Sequence, residues 1–263
     1  MIKSGEIQMK AREAGVRDQQ IEKDYVLSWI LWGISKHEHL SKKLIFKGGT
    51  VLKKVYFDDY RFSEDLDFTL IDSETKVQIL EWFKEIFEFV LEEVNIRLEI
   101  LDVNENDGIN FYISYIGPLG GQGSNKKVKI DISTHEKLEF EPVLKNVLLN
   151  YTDQAEHKLL CYTLEEILIE KMRTVMQRMQ ARDFFDIWYL LEVHGMDVNF
   201  YQKEFSNKCK IKNLDSKDFS KKLTERLPQY KGRWERSLKE QIQSLPEFET
   251  IEREVIRKLK KLK

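Results

Sequence analysis

Asp65-Leu66-Asp67-Phe68 puts carboxylates at i and i+2, and shortly before it Lys47-Gly48-Gly49-Thr50 puts a glycine pair directly after the apolar run Leu44-Ile45-Phe46. On a strand, side chains two apart face the same way, so Asp65 and Asp67 share one face while Leu66 and Phe68 take the buried one. Carboxylates that close repel unless a cation lies between them. Glycines let backbone N–H groups approach an anion, and the start of a helix adds partial positive charge; the Thr50 hydroxyl is a further candidate donor. Metal capture beside phosphate capture is what chemistry on a nucleoside triphosphate requires. The plain alternatives are a Gly-Gly turn, and aspartates that cap a turn or pair with Arg61.

A second alternation, Val128-Lys129-Ile130-Asp131-Ile132-Ser133, turns Val128, Ile130 and Ile132 inward and Asp131 outward. If this strand lies beside the first, Asp131 completes a three-carboxylate set for Mg²⁺ (or Mn²⁺), whose preference for hard oxygen favours carboxylates plus substrate phosphates. Two such ions activate an attacking hydroxyl and stabilise a leaving pyrophosphate. Otherwise Asp131 is a solvent-facing carboxylate.

These residues need a scaffold. Leu44–Phe46, Leu66–Leu70, Ile96–Leu101, Phe111–Ile116 and Val128–Ile132 read as strands. A helix is expected at 74–94, carrying Val77, Leu80, Phe83, Ile86, Phe87 and Val90. The first forty residues read as a packing helix with Ile21, Tyr25, Leu27, Ile30, Leu31 and Ile34 near a 3.6 period and a candidate cap at Asp18. The loop Gly117 to Ser124 reads as a flexible hairpin connection. From Thr163-Leu164-Glu165-Glu166, a capping box in which Thr hydroxyl and Glu166 carboxylate satisfy reciprocal backbone donors, the chain reads as helical. The expected organisation is α+β over 1–160, followed by a helical domain with a basic tail over 161–263. The end, Arg253 to Lys263, is expected to fray.

Composition narrows the function classes. The chain of 263 residues has net charge −2, but residues 200–263 carry 18 Lys+Arg against 10 Asp+Glu, leaving 25 against 35 in the preceding part. An acidic body with a basic end hints at nucleic-acid contact, although solvated helix faces produce the same asymmetry. Cys161 and Cys209 cannot build a disulfide framework, and no apolar signal core opens the chain, so a cytoplasmic protein is expected. The longest apolar-rich stretch, Tyr25 to Ile34, is too short to cross a bilayer.

Gly48-Gly49-Thr50, Asp65-Leu66-Asp67 and the later Asp131 resemble the nucleotidyltransferase superfamily, which implies a mixed sheet flanked by helices; the gap between Gly49 and Asp65 is slightly long for it. That gap suits one branch. Phe46 to Lys54, Arg61 to Phe68, and Lys171-Met172-Arg173-Thr174 with Ala181-Arg182-Asp183-Phe184-Phe185-Asp186 together resemble the AbiEii/AbiGii toxin nucleotidyltransferases, as does Glu22-Lys23-Asp24-Tyr25. The likeness runs over about residues 20–192. It implies a Mg²⁺-dependent transfer of a nucleoside monophosphate from a nucleoside triphosphate to an acceptor hydroxyl, with RNA and the tRNA 3′ end as acceptor in some relatives. It also implies growth inhibition as the toxin of a toxin–antitoxin pair, hence a cognate antitoxin.

The resemblance extends the site. Lys171 matches a lysine expected at the nucleotide phosphates, Asp183 an acidic residue needed for activity, and Lys53 the basic position after the turn, in preference to Lys54. On a continuous helix, Lys171, Arg178 and Arg182 fall within about 20° of one face at about 100° per residue, a cationic wall for the triphosphate that Gly48, Gly49 and Thr50 hold from the other side. Ser63, two residues before Asp65, matches a serine that kinase-type antitoxins phosphorylate in some relatives; a phosphate there adds about −1.5 to −2 charges beside the aspartates. A solvated helix lysine is the alternative for Lys171, and an ordinary structural ion pair the alternative for Arg182 and Asp183.

Remaining features are weaker. His37, His39, His135, His157 and His194 lack metal-ligand spacing, and His194 before Gly195 reads as a helix end. Trp234, between Arg233 and Arg236, is a candidate for stacking on a base, with core as the alternative. The competing functional readings are transfer to a protein or small molecule, and a non-catalytic nucleotide- or RNA-binding module.

Overall fold

The computed structural model describes residues 1–104, 108–121, 123 and 126–259. The chain divides into two compact units, Met1–Glu136 with Pro142–Cys161, and Lys137–Glu141 with Tyr162–Lys263.

In the first unit, helices α1 (Ser4–Ala14), α2 (Asp18–Lys36) and α3 (Leu40–Lys43) lead into strand β1 (Leu44–Lys47). A helical turn, α4 (Gly48–Val51), follows at once and runs on as a π-helical turn, Leu52–Tyr56. Strand β2 (Asp65–Leu70), helix α5 (Lys76–Val94), and strands β3 (Arg97–Leu101), β4 (Ile109–Ile116), β5 (Lys127–Ser133), β6 (Val143–Asn146) and β7 (Lys158–Cys161) complete it. The seven strands form one sheet in the order β3-β4-β5-β2-β1-β7-β6. β2 runs parallel to β5 and β1 to β7, while the other neighbours are antiparallel, so the sheet is mixed as expected.

Alternation decides the two faces. Leu66, Phe68, Phe111, Ile113, Ile130 and Ile132 point to one side and are at most 1% exposed. The Phe83 ring of α5 meets Phe111 edge-on at 5.0 Å on this core face. The true inward stripe of α5 is Ile79, Trp82, Phe83, Ile86, Phe87, Val90 and Val94; Val77, expected in the core, is 70% exposed. At about 100° per residue Val77 lies roughly opposite Ile79 and Ile86 on the helix, so it faces away from the sheet. α2 is buried nearly all round, polar Gln20, Glu22, Asp24 and Ser28 included. Its N-cap position is Arg17, with no side-chain cap, so Asp18 is the first helical residue rather than the cap. α2 and α5 touch at Gly33, where a Cβ would come within 3.2 Å of both Ile86 Cβ and Val90 Cγ2.

β6 and β7 escaped the sequence reading because each has four residues and no sustained alternation. The expected hairpin connection between β4 and β5 contains a turn in which Gly120 N–H donates to the Gly117 carbonyl. Gln122 and Ser124 of that loop lie outside the described residues.

The second unit is helical: α6 (Leu164–Val175), α7 (Ala181–Trp188) continued by a π-helical turn Tyr189–Val193, a 3₁₀ turn Val198–Tyr201, α8 (Gln202–Ile211), α9 (Phe219–Leu238) and α10 (Phe248–Leu259). Thr163 caps α6, its hydroxyl oxygen accepting from the Glu166 amide at 3.2 Å. The reciprocal half of the box is not made. Glu166, fully buried, instead accepts from the Glu139 and Phe140 amides at 2.9 and 3.0 Å and from Lys208 Nζ at 2.5 Å. This is why residues 137–141 belong to the second unit. Trp234 is core and not a stacking platform: 4% exposed, it donates to the Pro246 carbonyl at 2.9 Å and lies against Phe184, Phe185 and Phe248. His194 closes the turn after Trp188 and Gly195 follows at φ 78°, the helix end expected there. The basic end folds as α10 through Leu259, with Arg257 paired to Glu192 at 2.6 Å, so the fraying expected from Arg253 onward does not hold for 253–259; the rest of that stretch, 260–263, lies outside the described residues. Among the described residues no helix is long and apolar enough to cross a membrane.

Gly33→Val is predicted to lower the thermal unfolding midpoint by overpacking the α2–α5 contact, at a cost of about 1–3 kcal/mol. An unchanged midpoint would show that the contact is not close-packed.

Candidate active site

The unburied face of the sheet carries the chemistry. In β2 it presents Asp65, Asp67 and Thr69, and in β5 Lys127, Lys129, Asp131 and Ser133. Parallel pairing sets Asp67 beside Asp131 and Asp65 beside Lys129. On the other side of β2, Lys47 of β1 is level with Asp67, and its ammonium reaches across to donate to Ser133 Oγ at 3.0 Å. In-register neighbours share a face, so the sheet brings Asp65, Asp67 and Asp131 together from strands far apart in sequence.

Glycine is required at one point here. Gly48 has φ 81°, and a Cβ on it would lie 2.3 Å from Asp67 Oδ2. Any side chain would therefore strain the backbone and displace the carboxylate. The expected phosphate turn and the expected metal ligand are in direct contact: the helical turn opens at Gly48, where the first N–H groups have no intrahelical acceptor, and the Asp67 carboxylate lies against it.

Thr50 plays a different part from the one expected. It is 1% exposed, and its hydroxyl lies 2.8 Å from Ser63 Oγ and 2.5 Å from the Asp65 carbonyl oxygen. It ties the turn to the strand carrying the aspartates instead of facing outward. Ser63 is 7% exposed and lies just before β2, which begins at Asp65. Lys53 donates to the Asp58 carbonyl and lies over the Phe62 ring.

Lys129 is the cation that the sequence reading did not assign. Its ammonium is 2.9 Å from Asp131 Oδ2. Burial is the largest influence and works to lower its pKa, yet the hydrogen bond and charge of Asp131, with the charges of Asp65 and Asp67, hold it above the ordinary lysine value. The signal was present in the alternation, which puts Lys129 on the same face as Asp131. Among the described residues no three His, Cys, Asp or Glu side chains converge as a ready-made metal cage. The donor set nevertheless suits a hard cation, with oxygen ligands on one face and a glycine cradle that leaves room for Asp67.

Glu22-Lys23-Asp24-Tyr25 of α2 positions this face. Lys54, fully buried, donates to Asp24 Oδ2 at 2.6 Å, to the Asp24 carbonyl at 2.9 Å and to Ser28 Oγ at 2.7 Å. Burial pushes its pKa down against the pull of Asp24. Tyr151 donates to the same carboxylate oxygen at 2.8 Å. Lys23 pairs with Glu64 at 3.3 Å, and Glu22 accepts from the Leu119 amide at 2.8 Å and from Lys126 Nζ at 3.0 Å.

The second unit holds its own charge cluster. α6 ends at Val175 and α7 begins at Ala181, so Lys171, Arg178 and Arg182 do not lie along one continuous helix and the expected cationic wall is not formed. Instead Asp183, 2% exposed, accepts from Lys171 Nζ at 2.7 Å and from Arg178 Nε at 2.7 Å, and Lys171 also reaches Asp186 at 2.8 Å. For Asp183, burial is the largest influence and raises the pKa, but Lys171 and Arg178 outweigh it and hold the carboxyl below its ordinary range. Arg182 is half-buried on the first turn of α7.

A family model described as nucleotidyl transferase AbiEii toxin, type IV toxin–antitoxin system, matches residues 29–254. No curated protein matches the chain. Among solved structures, the nucleotidyltransferase toxin MenT4 of Mycobacterium tuberculosis superposes with a TM-score of 0.71 at 16% identity, over 100% of this chain and 91% of its own. JHP933 of Helicobacter pylori superposes with a TM-score of 0.58 at 19% identity, over 91% of this chain and 90% of its own. At these identities the likeness to the solved structures is one of fold.

Two outcomes follow from the geometry. Gly48→Ala should destabilise the protein by about 1–2 kcal/mol from the left-handed backbone alone, plus the cost of displacing Asp67; a melting curve superposable on the wild type's would contradict the close approach. Asp183, with a folded pKa below its unfolded value of 3.8, contributes stability that is present above that pH and lost as pH falls through the folded pKa. The stability gap between wild type and Asp183→Asn is therefore predicted to be constant at neutral and mildly acid pH and to shrink only below about 3.8. Denaturant titrations across that range are the check, and a gap that closes already near pH 6 would rule the ion cluster out as its source.

Proposed function

The chain belongs to the AbiEii family of nucleotidyl transferase toxins of type IV toxin–antitoxin systems, and from that premise we propose that it transfers a nucleoside monophosphate from a nucleoside triphosphate to an acceptor hydroxyl on RNA, in particular at a tRNA 3′ end, and thereby inhibits growth. The observation that carries the proposal is the position of Asp67, level with Asp131 across the sheet and in contact with Gly48 at the opening of the helical turn. Phosphate capture and acidic residues adjoin at one point, as transfer at an α-phosphorus demands.

In this reading the backbone N–H groups of Gly48, Gly49 and Thr50 bind the β- and γ-phosphates, because a helix start offers both donors and partial positive charge. Asp65, Asp67 and Asp131 would hold the divalent cation, Mg²⁺ or Mn²⁺, which when bound polarises the phosphate and activates the attacking hydroxyl. Thr50 holds the turn to the strand, and Lys129 keeps three like charges from repelling one another while the site is open. The acceptor hydroxyl loses its proton to solvent, its oxygen bonds to the α-phosphorus as the bond to the bridging oxygen breaks, and pyrophosphate leaves. Most of the rate gain comes from positioning and electrostatic preorganisation.

The second unit's candidates are proposed on the family resemblance. Lys171 is the nucleotide-contacting lysine there, and Asp183 with Asp186 acts by holding its ammonium, a positioning role their buried ion pairs support. Arg182 is retained as a nucleotide contact and Lys53 as the basic residue after the turn. An antitoxin partner follows from the family. Phosphorylation of Ser63 would require the Thr50–Ser63 contact to open, since the hydroxyl is buried in the folded protein.

The test is transfer of label from each of the four α-³²P nucleoside triphosphates, with Mg²⁺ and total tRNA present, catalysed by wild type and by Asp65→Ala in parallel. Label on tRNA that falls at least about a hundredfold in the variant is the expected result. Label that persists in Asp65→Ala would sink the assignment of the carboxylates. Label on protein or a small molecule, with none on RNA, would replace the acceptor by the second reading.

A further inference from the structure

The proposed reaction has a direction that the sheet makes explicit. In-line displacement puts the attacking hydroxyl and the leaving pyrophosphate on opposite sides of the α-phosphorus. The phosphate turn follows β1, on one flank of the Asp65–Asp67 strand, so the pyrophosphate lies on that flank. The acceptor must then approach over the other flank, across β5 and β4.

That flank has a composition of its own. Tyr112 of β4 is level with Lys129, which is level with Asp65, so tyrosine, lysine and carboxylate form one row across three strands. Lys127, on the same face, places its ammonium over the Tyr112 ring at 4.4 Å from the centroid. Among the described residues Lys127 has no carboxylate partner. A carboxylate would cancel its charge, whereas a ring face fixes the ammonium and leaves the charge whole. This is a cation held in place inside a part of the chain where residues before 200 carry ten more acidic than basic side chains, 35 against 25.

We propose that Lys127, held by Tyr112, together with Lys129 forms the acceptor track of the enzyme, and that it takes the phosphodiester backbone of a single-stranded RNA end and leads its terminal hydroxyl to the Asp131 side of the carboxylates. This rests on the nucleotidyl-transfer reading and adds to it the route of the acceptor and the residues that guide it. Lys127 binds a backbone phosphate; Tyr112 is a positioning residue that acts through Lys127. Lys127 lies four residues before Asp131 on β5, at the spacing of a chain that runs along the strand and too far for a small acceptor at Asp131 to reach.

The experiment uses the full chain and a fluorescein-labelled single-stranded RNA of about 12 nucleotides, with binding read by anisotropy over a salt series and nucleotide affinity measured in parallel. Lys127→Gln and Tyr112→Leu should each weaken RNA binding about tenfold, and Lys127→Gln should also flatten the salt dependence by about 0.7 in log–log slope. Nucleotide affinity should stay at the wild-type level. Tyr112→Phe, which keeps the ring, should bind as wild type, and so should Lys42→Gln, a change at an exposed lysine far along the chain. RNA binding and labelling by Lys127→Gln equal to wild type would overturn the acceptor track while leaving nucleotidyl transfer intact, whereas transfer surviving Asp65→Ala would sink the underlying reading. A wild type that ignores RNA and labels a protein, with acceptor KM raised in Lys127→Gln, would overturn the RNA assignment and name protein as the occupant.

Discussion

A fully buried ammonium constrains the first unit more than any other single group. Lys54 has no access to water, and an unpaired charge in that position would cost many kcal/mol in desolvation. The fold meets that demand with the Asp24 carboxylate, the Asp24 carbonyl and Ser28, and Tyr151 adds a hydrogen bond to the same carboxylate. Because Lys54 follows the helical turn that opens at Gly48, the pairing locks α2 to the element expected to hold phosphate. The same short stretch of α2 reaches outward at neighbouring positions: Glu22 holds the β4–β5 connection, Lys23 holds Glu64 just before β2, and Tyr25 donates to Asp153 at 2.7 Å. One helix turn thus sets the relative placement of three segments that frame the carboxylates. This accounts for the burial of α2 on every side despite its polar residues.

The carboxylate face is the complementary case, charge gathered where water and ligand can reach it. Asp65, Asp67 and Asp131 are only partly buried, and the sheet answers their mutual repulsion with Lys129 and with Lys47 crossing β2. The apolar side of the same strands is at most 1% exposed at Leu66, Phe68, Ile130 and Ile132, so the strands cannot slip without exposing that core. Registration of the acidic residues is therefore a by-product of hydrophobic burial on the opposite face. Gly48 adds the only local condition, an absent side chain where Asp67 needs room.

The second unit solves a similar problem with a different arrangement. Lys171 lies between Asp183 and Asp186, and Arg178 reaches Asp183 from the link between α6 and α7. That link is fastened from α9, where the Tyr230 hydroxyl lies 3.2 Å from the Val175 carbonyl and Arg233 donates to the Met179 carbonyl at 2.6 Å. Phe184 stacks on Tyr230 at 5.3 Å between ring centroids, so the aromatic core and the ion cluster are two sides of one packing unit. The break between α6 and α7 is what gives Arg178 its reach to Asp183; a continuous helix would have lined the cations up without a shared carboxylate.

Period-two alternation is enough to mark β2, β4 and β5 and to assign their inner faces, and the Asp65-Leu66-Asp67 pair is legible for the same reason: a strand's chemistry is local, repeated every second residue. Alternation is blind to strand direction, so the mixed pairing of the sheet is expected from the family resemblance alone. The glycine pair carries its own signal as well. What lies beyond the sequence is everything decided by a partner. The Thr50 hydroxyl reads as a ligand donor until Ser63 and the Asp65 carbonyl take it; Trp234 reads as exposed among arginines until α10 and Phe184 cover it. Glu166 is a capping residue by pattern and becomes the anchor of residues 137–141 because Lys208 and two amides compete for its oxygens more strongly than the helix start does. Spacing along a chain states which side chains share a face, whereas hydrogen-bond partners and burial depend on surfaces that only folding brings together.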